Sequence, residues 1–253
     1  MKSLLLFFKA LAVMKVSLIG MLLLCCSVQS QQSVHFNSSD GLEISSDYYA
    51  KQGTSTFILL FHQAGWSRGE YREIAPKLNA MGYACLAVDL RSGGAVNGVV
   101  NETNRKAKAK GMATTYKEAF KDIEAAVNFV KTTYKPEKLI LWGSSYSSAL
   151  VLKYAGDHPT AVQAIVSFAP GEYFGSKTYI ADSAKHIEVP TFITSAKNEY
   201  KNWKAIHAAI PGTQKKSYLP DTSGNHGSRA LWEKFNDHKG YWEAVSEFLN
   251  TVP

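Results

Sequence analysis

KLILWGSSYSSA, Lys138 to Ala149, carries the change of pattern that decides the fold. Leu139, Ile140, Leu141 and Trp142 form an apolar run too short for a helix and preceded by Pro136, so they suit a fully buried strand. From Ser145 the pattern becomes helical, with Ala149, Leu150, Leu152 and Lys153 leading to a stop at Tyr154–Pro159. Small residues stand two positions before and two after Ser145, at Gly143 and Ser147, which lets strand and helix backbones approach around a strained turn. Such a turn holds the Ser145 hydroxyl up and exposed, and it aims the Tyr146 N–H at whatever that oxygen attacks. Ser147 fits a looser frame, between Ser145 and Ala149, but falls inside the helix. A Gly- and Ser-rich turn of this kind also serves as a structural or phosphate-cradling loop, so residues elsewhere must decide.

Working outward, strand-like runs alternate with helical ones. Val34–Phe36 and Leu42–Tyr49 flank the turn cluster Asn37–Gly41 and read as an antiparallel hairpin. Thr56–Phe61 is a strongly apolar strand running straight into His62-Gln63-Ala64-Gly65-Trp66. Arg68–Met81 is helical, with Tyr71, Ile74, Ala75 and Leu78 on one side, a kink expected at Pro76 and a stop at Gly82. Ala84–Asp89 is a further buried strand, in which Cys85 packs as a small hydrophobe. Ala95–Ala113 lacks an apolar period and reads as a long loop lining the site, and Thr115–Thr133 as a helix with Asp122 and Glu124 as solvated or bracing charges. Strands at 162–168, 191–194 and 216–219 alternate with helical stretches at 201–209 and 231–249. This alternation implies right-handed crossovers and a mostly parallel sheet with helices on both faces.

Gly143-Ser144-Ser145-Tyr146-Ser147 resembles the G-x-S-x-G nucleophile elbow of α/β-hydrolases, with Ser147 in place of the last glycine. The resemblance implies an α/β-hydrolase fold and a catalytic triad in the chain order Ser, acid, His. Val189–Glu199 is similar to the family's P-x-L-I-x-x-G-x-x-D turn, which puts Glu199 at the acid position; Asp182, Glu188 and Asp221 lack as clear a strand-end context. The glycine-rich loop Asp221–Ser228 stands where the family places its base, which implies His226, while His35, His207 and His238 read as surface positions. The 62–66 segment is similar to the family's first oxyanion loop, so the N–H groups of Ala64 and Tyr146 are implied as oxyanion donors. Gln63 stands where glycine is common and either contributes its amide or braces the loop. His62 reads as a structural histidine, and Trp66 as a pocket wall or a core residue. Asp89-Leu90-Arg91-Ser92-Gly93-Gly94 resembles the family's D-x-R-x-x-G turn, so Asp89 and Arg91 are expected to be structural.

The short connection from Ala169 to Pro190 leaves no room for a large cap domain, which makes the dienelactone-hydrolase-like branch the nearest in build. That branch often uses cysteine as nucleophile, and serine stands there in this chain. The activity implied is cleavage of a small-molecule carboxylic ester through an acyl-enzyme, with no cofactor. Two alternatives stay open: a prolyl-oligopeptidase-like peptidase or amidase, and a non-catalytic binding protein on a hydrolase fold.

At 253 residues the chain has room for one core of this size, expected over residues 31–253. Residues 1–30 combine Lys2, Lys9 and Lys15 with apolar runs and carry no acid, the pattern of a secretory signal peptide with its apolar region at Val16–Cys26. A secreted or periplasmic protein follows as the expectation, with Met14 as an alternative start and lipidation at Cys25 or Cys26 as the route to a membrane. Removing that segment takes the net charge from +7 to +4, too weak a basic balance to argue for nucleic acid. The seven histidines show no paired metal-ligand spacing.

Overall fold

The computed structural model describes residues 31–253; the expected signal peptide, the alternative start at Met14 and the candidate lipidation sites Cys25 and Cys26 lie outside the described residues. In chain order the elements are β1 (Gln31–Asn37), β2 (Glu43–Tyr49), β3 (Thr56–Phe61), α1 (Ile74–Ala80), β4 (Ala84–Val88), β5 (Ala95–Val96), β6 (Val99–Val100), α2 (Glu102–Ala109) and α3 (Phe120–Thr133). They continue with β7 (Lys138–Ser144), α4 (Tyr146–Asp157), β8 (Ala164–Phe168), α5 (Tyr179–Ala184), β9 (Thr191–Thr194), α6 (Tyr200–Ala209), β10 (Lys215–Tyr218) and α7 (His238–Leu249).

Eight strands form one sheet in the order β1-β2-β4-β3-β7-β8-β9-β10. The opening hairpin is antiparallel and joins β4 antiparallel, whereas every pair from β4 to β10 is parallel. The central strands are apolar on both faces because helices cover both. Phe57, Leu59 and Phe61 of β3 and Leu139 and Leu141 of β7 pack with α3, α4 and α6, while Ile58, Leu60, Ile140 and Trp142 pack with α1 and α7. Full burial of an aliphatic side chain such as Ile58 or Leu60 contributes about 2 kcal/mol, so β3 and β7 anchor the sheet from its middle.

Four expectations change in the structure. Residues 68–81 do not form one kinked helix: a 3-10 turn at Arg68–Tyr71 precedes α1. Pro76 is the third residue of α1, where its missing N–H has no intrahelical acceptor to lose, so no kink is needed. The stretch 95–113 is not a plain loop but a two-stranded hairpin, β5 with β6, followed by α2. Helix α2 hid from an apolar-period search because its inward face is polar: Thr103 accepts the Ser45 N–H at 2.9 Å, and Asn104 and Ala107 are buried beside it. Its start is set by Asn101, whose side-chain oxygen accepts the Asn104 N–H at 2.7 Å. Helix α3 begins at Phe120 rather than at 115, and the closing helix at His238 rather than at 231, the buried Leu231 and Trp232 lying in and just after a 3-10 turn. Between β8 and β9 only the six-residue α5 intervenes, and among the described residues no large cap covers the sheet edge.

Candidate active site

The carboxyl ends of β3, β7, β9 and β10 bring the sequence-selected residues together, as open parallel sheets do. Strand β7 ends at Ser144 and α4 begins at Tyr146, leaving Ser145 as the single residue of the turn, at φ 59° and ψ −122°. That left-handed conformation is costly for a non-glycine residue and is held by its neighbours. Ser145 N–H donates to Phe168 O at 2.7 Å, and Ser147 Oγ accepts the Ser144 N–H at 2.9 Å. A Cβ on Gly143 would lie 2.4 Å from Ser148 Cα, so only glycine lets α4 sit this close to β7. Ser147, the alternative nucleophile, is fully buried, and its hydroxyl lies 2.8 Å from Phe61 O, a stitch between the ends of β3 and β7.

His226 faces this turn from the loop after β10. Its Nε2 is 2.8 Å from Ser145 Oγ and its Nδ1 is 2.5 Å from Glu199 Oε1. Glu199 closes a 3-10 turn after β9, and its other oxygen accepts the Ala196 N–H at 3.1 Å, which fixes the carboxylate's orientation. The acid turn and the base loop are tied directly, Lys197 N–H donating to Ser223 O at 2.9 Å. With the ring proton on Nδ1 toward Glu199, Nε2 is free to accept the serine proton; that tautomer follows from the carboxylate being an acceptor only. Of the rival acids, Asp182 binds Lys185 on the surface and Asp221 offers its backbone carbonyl to Lys197, while Glu188 is exposed.

The N–H groups of Ala64 and Tyr146 take no part in the backbone hydrogen bonds of the described residues, as oxyanion donors require. Loop 62–66 is held from beneath. His62 is fully buried, its Nδ1 donating to Gln63 O at 2.8 Å and its Nε2 accepting from Leu90 N–H at 2.9 Å. Burial lowers its pKa to about 4, so it stays neutral and acts as a tie rather than a base. The Gln63 amide turns inward to Glu70, 3.3 Å away, and so braces the loop. Trp66 is half-buried, stacked on Trp232 with ring centroids 5.3 Å apart. Asp89 and Arg91 are structural as expected: Asp89 accepts the Arg68 and Glu102 N–H groups, and Arg91 is clamped between Asp122 and Asp40.

Two residues near the turn carried no sequence signal. Tyr173 donates its hydroxyl to Ala169 O at 2.9 Å; burial, with the nearby Glu199 charge, pushes its phenol up to about 12. Glu70 is fully buried beneath the turn, accepting from Gln63 N–H at 2.8 Å and from Ser144 Oγ at 2.7 Å. In sequence it reads as one more polar residue of a helix, and the structure buries it in the 3-10 turn Arg68–Tyr71.

The sequence profile of the serine aminopeptidase S33 family matches residues 53–186, slightly more than half of the chain. No curated protein matches the chain. Among solved structures, a dienelactone hydrolase from Anabaena variabilis is similar at TM-score 0.69 and 16% identity, covering 88% of this chain and 98% of that one. An esterase from Pyrococcus furiosus is similar at TM-score 0.67 and 16% identity, with 88% and 93% covered. An α/β-hydrolase from a Penicillium species follows at 0.66 and 14%, with 88% and 99% covered. At these identities the likeness is one of fold.

Proposed function

Because the chain belongs to the serine aminopeptidase S33 family of α/β-hydrolases, we propose that it is a serine hydrolase that cleaves a carboxylic ester through an acyl-enzyme. The observation that carries this reading is the unbroken relay from Glu199 Oε1 through His226 to Ser145 Oγ, at 2.5 Å and 2.8 Å. In the reaction Ser145 Oγ attacks the carbonyl carbon while His226 Nε2 takes its proton. Glu199 holds the imidazole in its working tautomer and stabilises the imidazolium that forms. The negative charge on the carbonyl oxygen is met by the N–H groups of Ala64 and Tyr146. The imidazolium then protonates the leaving alcohol, and water, activated by the same imidazole, releases the acid and restores the serine.

The family description favours a second reading, cleavage of a peptide amide beside a free amino terminus. An aminopeptidase needs a carboxylate to receive the substrate's ammonium group. Glu199 and Glu70 are already bonded within the site, and Glu172 caps α5 by accepting the Ile180 and Ala181 N–H groups at 2.8 and 2.9 Å, which supports the ester reading. Export through residues 1–30 belongs to the same proposal, and amino-terminal sequencing of protein recovered from outside the cytoplasm would test it.

The test of function is turnover of short p-nitrophenyl esters beside amino-acid p-nitroanilides. Ser145→Ala should lower ester turnover by about 10⁴-fold or more with circular dichroism unchanged, and retained activity would refute the assignment.

A further inference from the structure

Glu70 is a buried acid beneath the nucleophile turn that the catalytic sequence does not use. It is fully buried, and among the described residues no lysine or arginine pairs with it. Its partners are neutral donors from two parts of the site. Gln63 N–H, from the oxyanion loop, donates to Oε2 at 2.8 Å, and the Gln63 amide approaches Oε1 at 3.3 Å. Ser144 Oγ, the residue before Ser145, donates to Oε1 at 2.7 Å. The same Ser144 oxygen accepts the Ser228 N–H at 2.8 Å, two residues beyond His226. Gly227, between them, packs so closely that an added Cβ would stand 2.5 Å from Ser144 Oγ and 3.2 Å from Gln63 Nε2. The carboxylate is thus the acceptor for the oxyanion loop and the nucleophile turn, and the base loop reaches it through Ser144 Oγ.

We propose that Glu70 is a positioning residue: its ionised carboxylate holds the oxyanion loop, the nucleophile turn and the base loop in one register, so that reactivity of the site requires Glu70 to be deprotonated. This rests on the reading of Ser145, His226 and Glu199 given above. The chemistry follows from the donor count. An ionised carboxylate accepts from Gln63 N–H, the Gln63 amide and Ser144 O–H at once. A protonated one brings its own hydrogen against groups that already donate, so Ser144 must turn or the Gln63 contact must lengthen. Either change moves a loop that carries a reacting group, and displacements of about 1 Å at such positions cost about 100-fold in rate.

The groups facing Glu70 limit what else could set its ionisation. They are His226 from the base loop, Tyr71 on its own turn and Tyr146 on α4, both phenols being raised by burial and therefore neutral. Burial raises the Glu70 pKa from 4.5 to about 7, against the pull of the Ser144 and Gln63 hydrogen bonds and of His226. Its ionisation therefore falls where a hydrolase works, instead of far below.

The experiment is the rate of labelling by a fluorophosphonate, measured from acid to alkaline pH on the full chain, for the wild type, Glu70→Gln and Ser144→Ala. In the wild type the acid limb should include the loss of a proton from Glu70. Glu70→Gln keeps the shape but cannot titrate: its limb should lose that ionisation and its limiting rate fall by about 10- to 100-fold. Ser144→Ala removes a hydrogen bond that favours the carboxylate, so its limb should move to higher pH. Should Glu70→Gln fail to fold by circular dichroism, the Ser144→Ala displacement decides. Superimposable limbs in all folded proteins overturn the inference while leaving the triad intact. No labelling of the wild type at any pH overturns the triad reading and this inference with it.

Discussion

Arg91 and Glu70 are both charged side chains buried at the same edge of the sheet, 1% and 0% exposed, yet their charges are met in opposite ways. Arg91 is answered by charge: Asp122 at 2.7 Å, Asp40 at 2.6 Å, and the Ser38 hydroxyl at 3.1 Å. Glu70 is answered by neutral donors alone. The first arrangement joins the β1–β2 turn to α3 through a guanidinium that its carboxylate partners keep charged over any ordinary pH. The second leaves a carboxylate whose ionisation burial has moved to about 7, under the residues that do the chemistry. A charge locked by another charge works as a rivet, whereas a charge held by dipoles can be switched by a proton.

The largest effect expected lies on the catalytic side of this comparison. Glu199→Gln keeps the size of the acid but loses its charge and favours the wrong imidazole tautomer, so ester kcat should fall by about 10³- to 10⁴-fold. The thermal midpoint should hardly move, because Glu199 is partly exposed. A fall of less than tenfold would remove Glu199 from the relay and reopen the search for the acid.

Next comes the rivet. Arg91→Ala leaves Asp122 fully buried without its cation, a loss of about 3–5 kcal/mol in unfolding free energy by urea titration. The folded fraction should keep the wild-type pH profile of labelling. A change in that profile would show that the two corners are coupled, contrary to the distinction drawn here.

The smallest effect concerns Glu70 and stability. Its folded pKa is raised from 4.5 to about 7, so the folded state holds a proton there that the unfolded state has already lost. The stability this proton supplies is fully present below the unfolded value and is lost as pH rises through the folded one. Across that window the wild type should lose about 3 kcal/mol relative to Glu70→Gln, which has nothing to titrate there. Parallel stability curves for the two proteins would mean that Glu70 is not protonated in the folded state at mildly acid pH.

What the sequence showed and what it concealed divide along the same line. The Ser145 turn was legible because its constraints are local: a strand too short to be helical, Gly143 where a Cβ would meet Ser148, and a helix starting one residue later. Glu199 and His226 were legible through their order and their strand-end settings. Glu70 was not, since an acid in a helical register reads as solvated, and nothing nearby in sequence announces that Ser144 and Gln63 will enclose it. Helix α2 escaped for a related reason, its buried face being made of Thr103 and Asn104 instead of aliphatic residues. Apolar periodicity finds elements that pack by excluding water and misses those that dock through hydrogen bonds.

The central claim is that His226, oriented by Glu199, makes the Ser145 hydroxyl the one activated alcohol among the four serines of residues 144–148. Peptide mapping by mass spectrometry after fluorophosphonate treatment tests it most directly. The account predicts a single phosphonyl adduct, on Ser145, that disappears with His226→Ala. An adduct on Ser144, Ser147 or Ser148, or none on the folded protein, would contradict it.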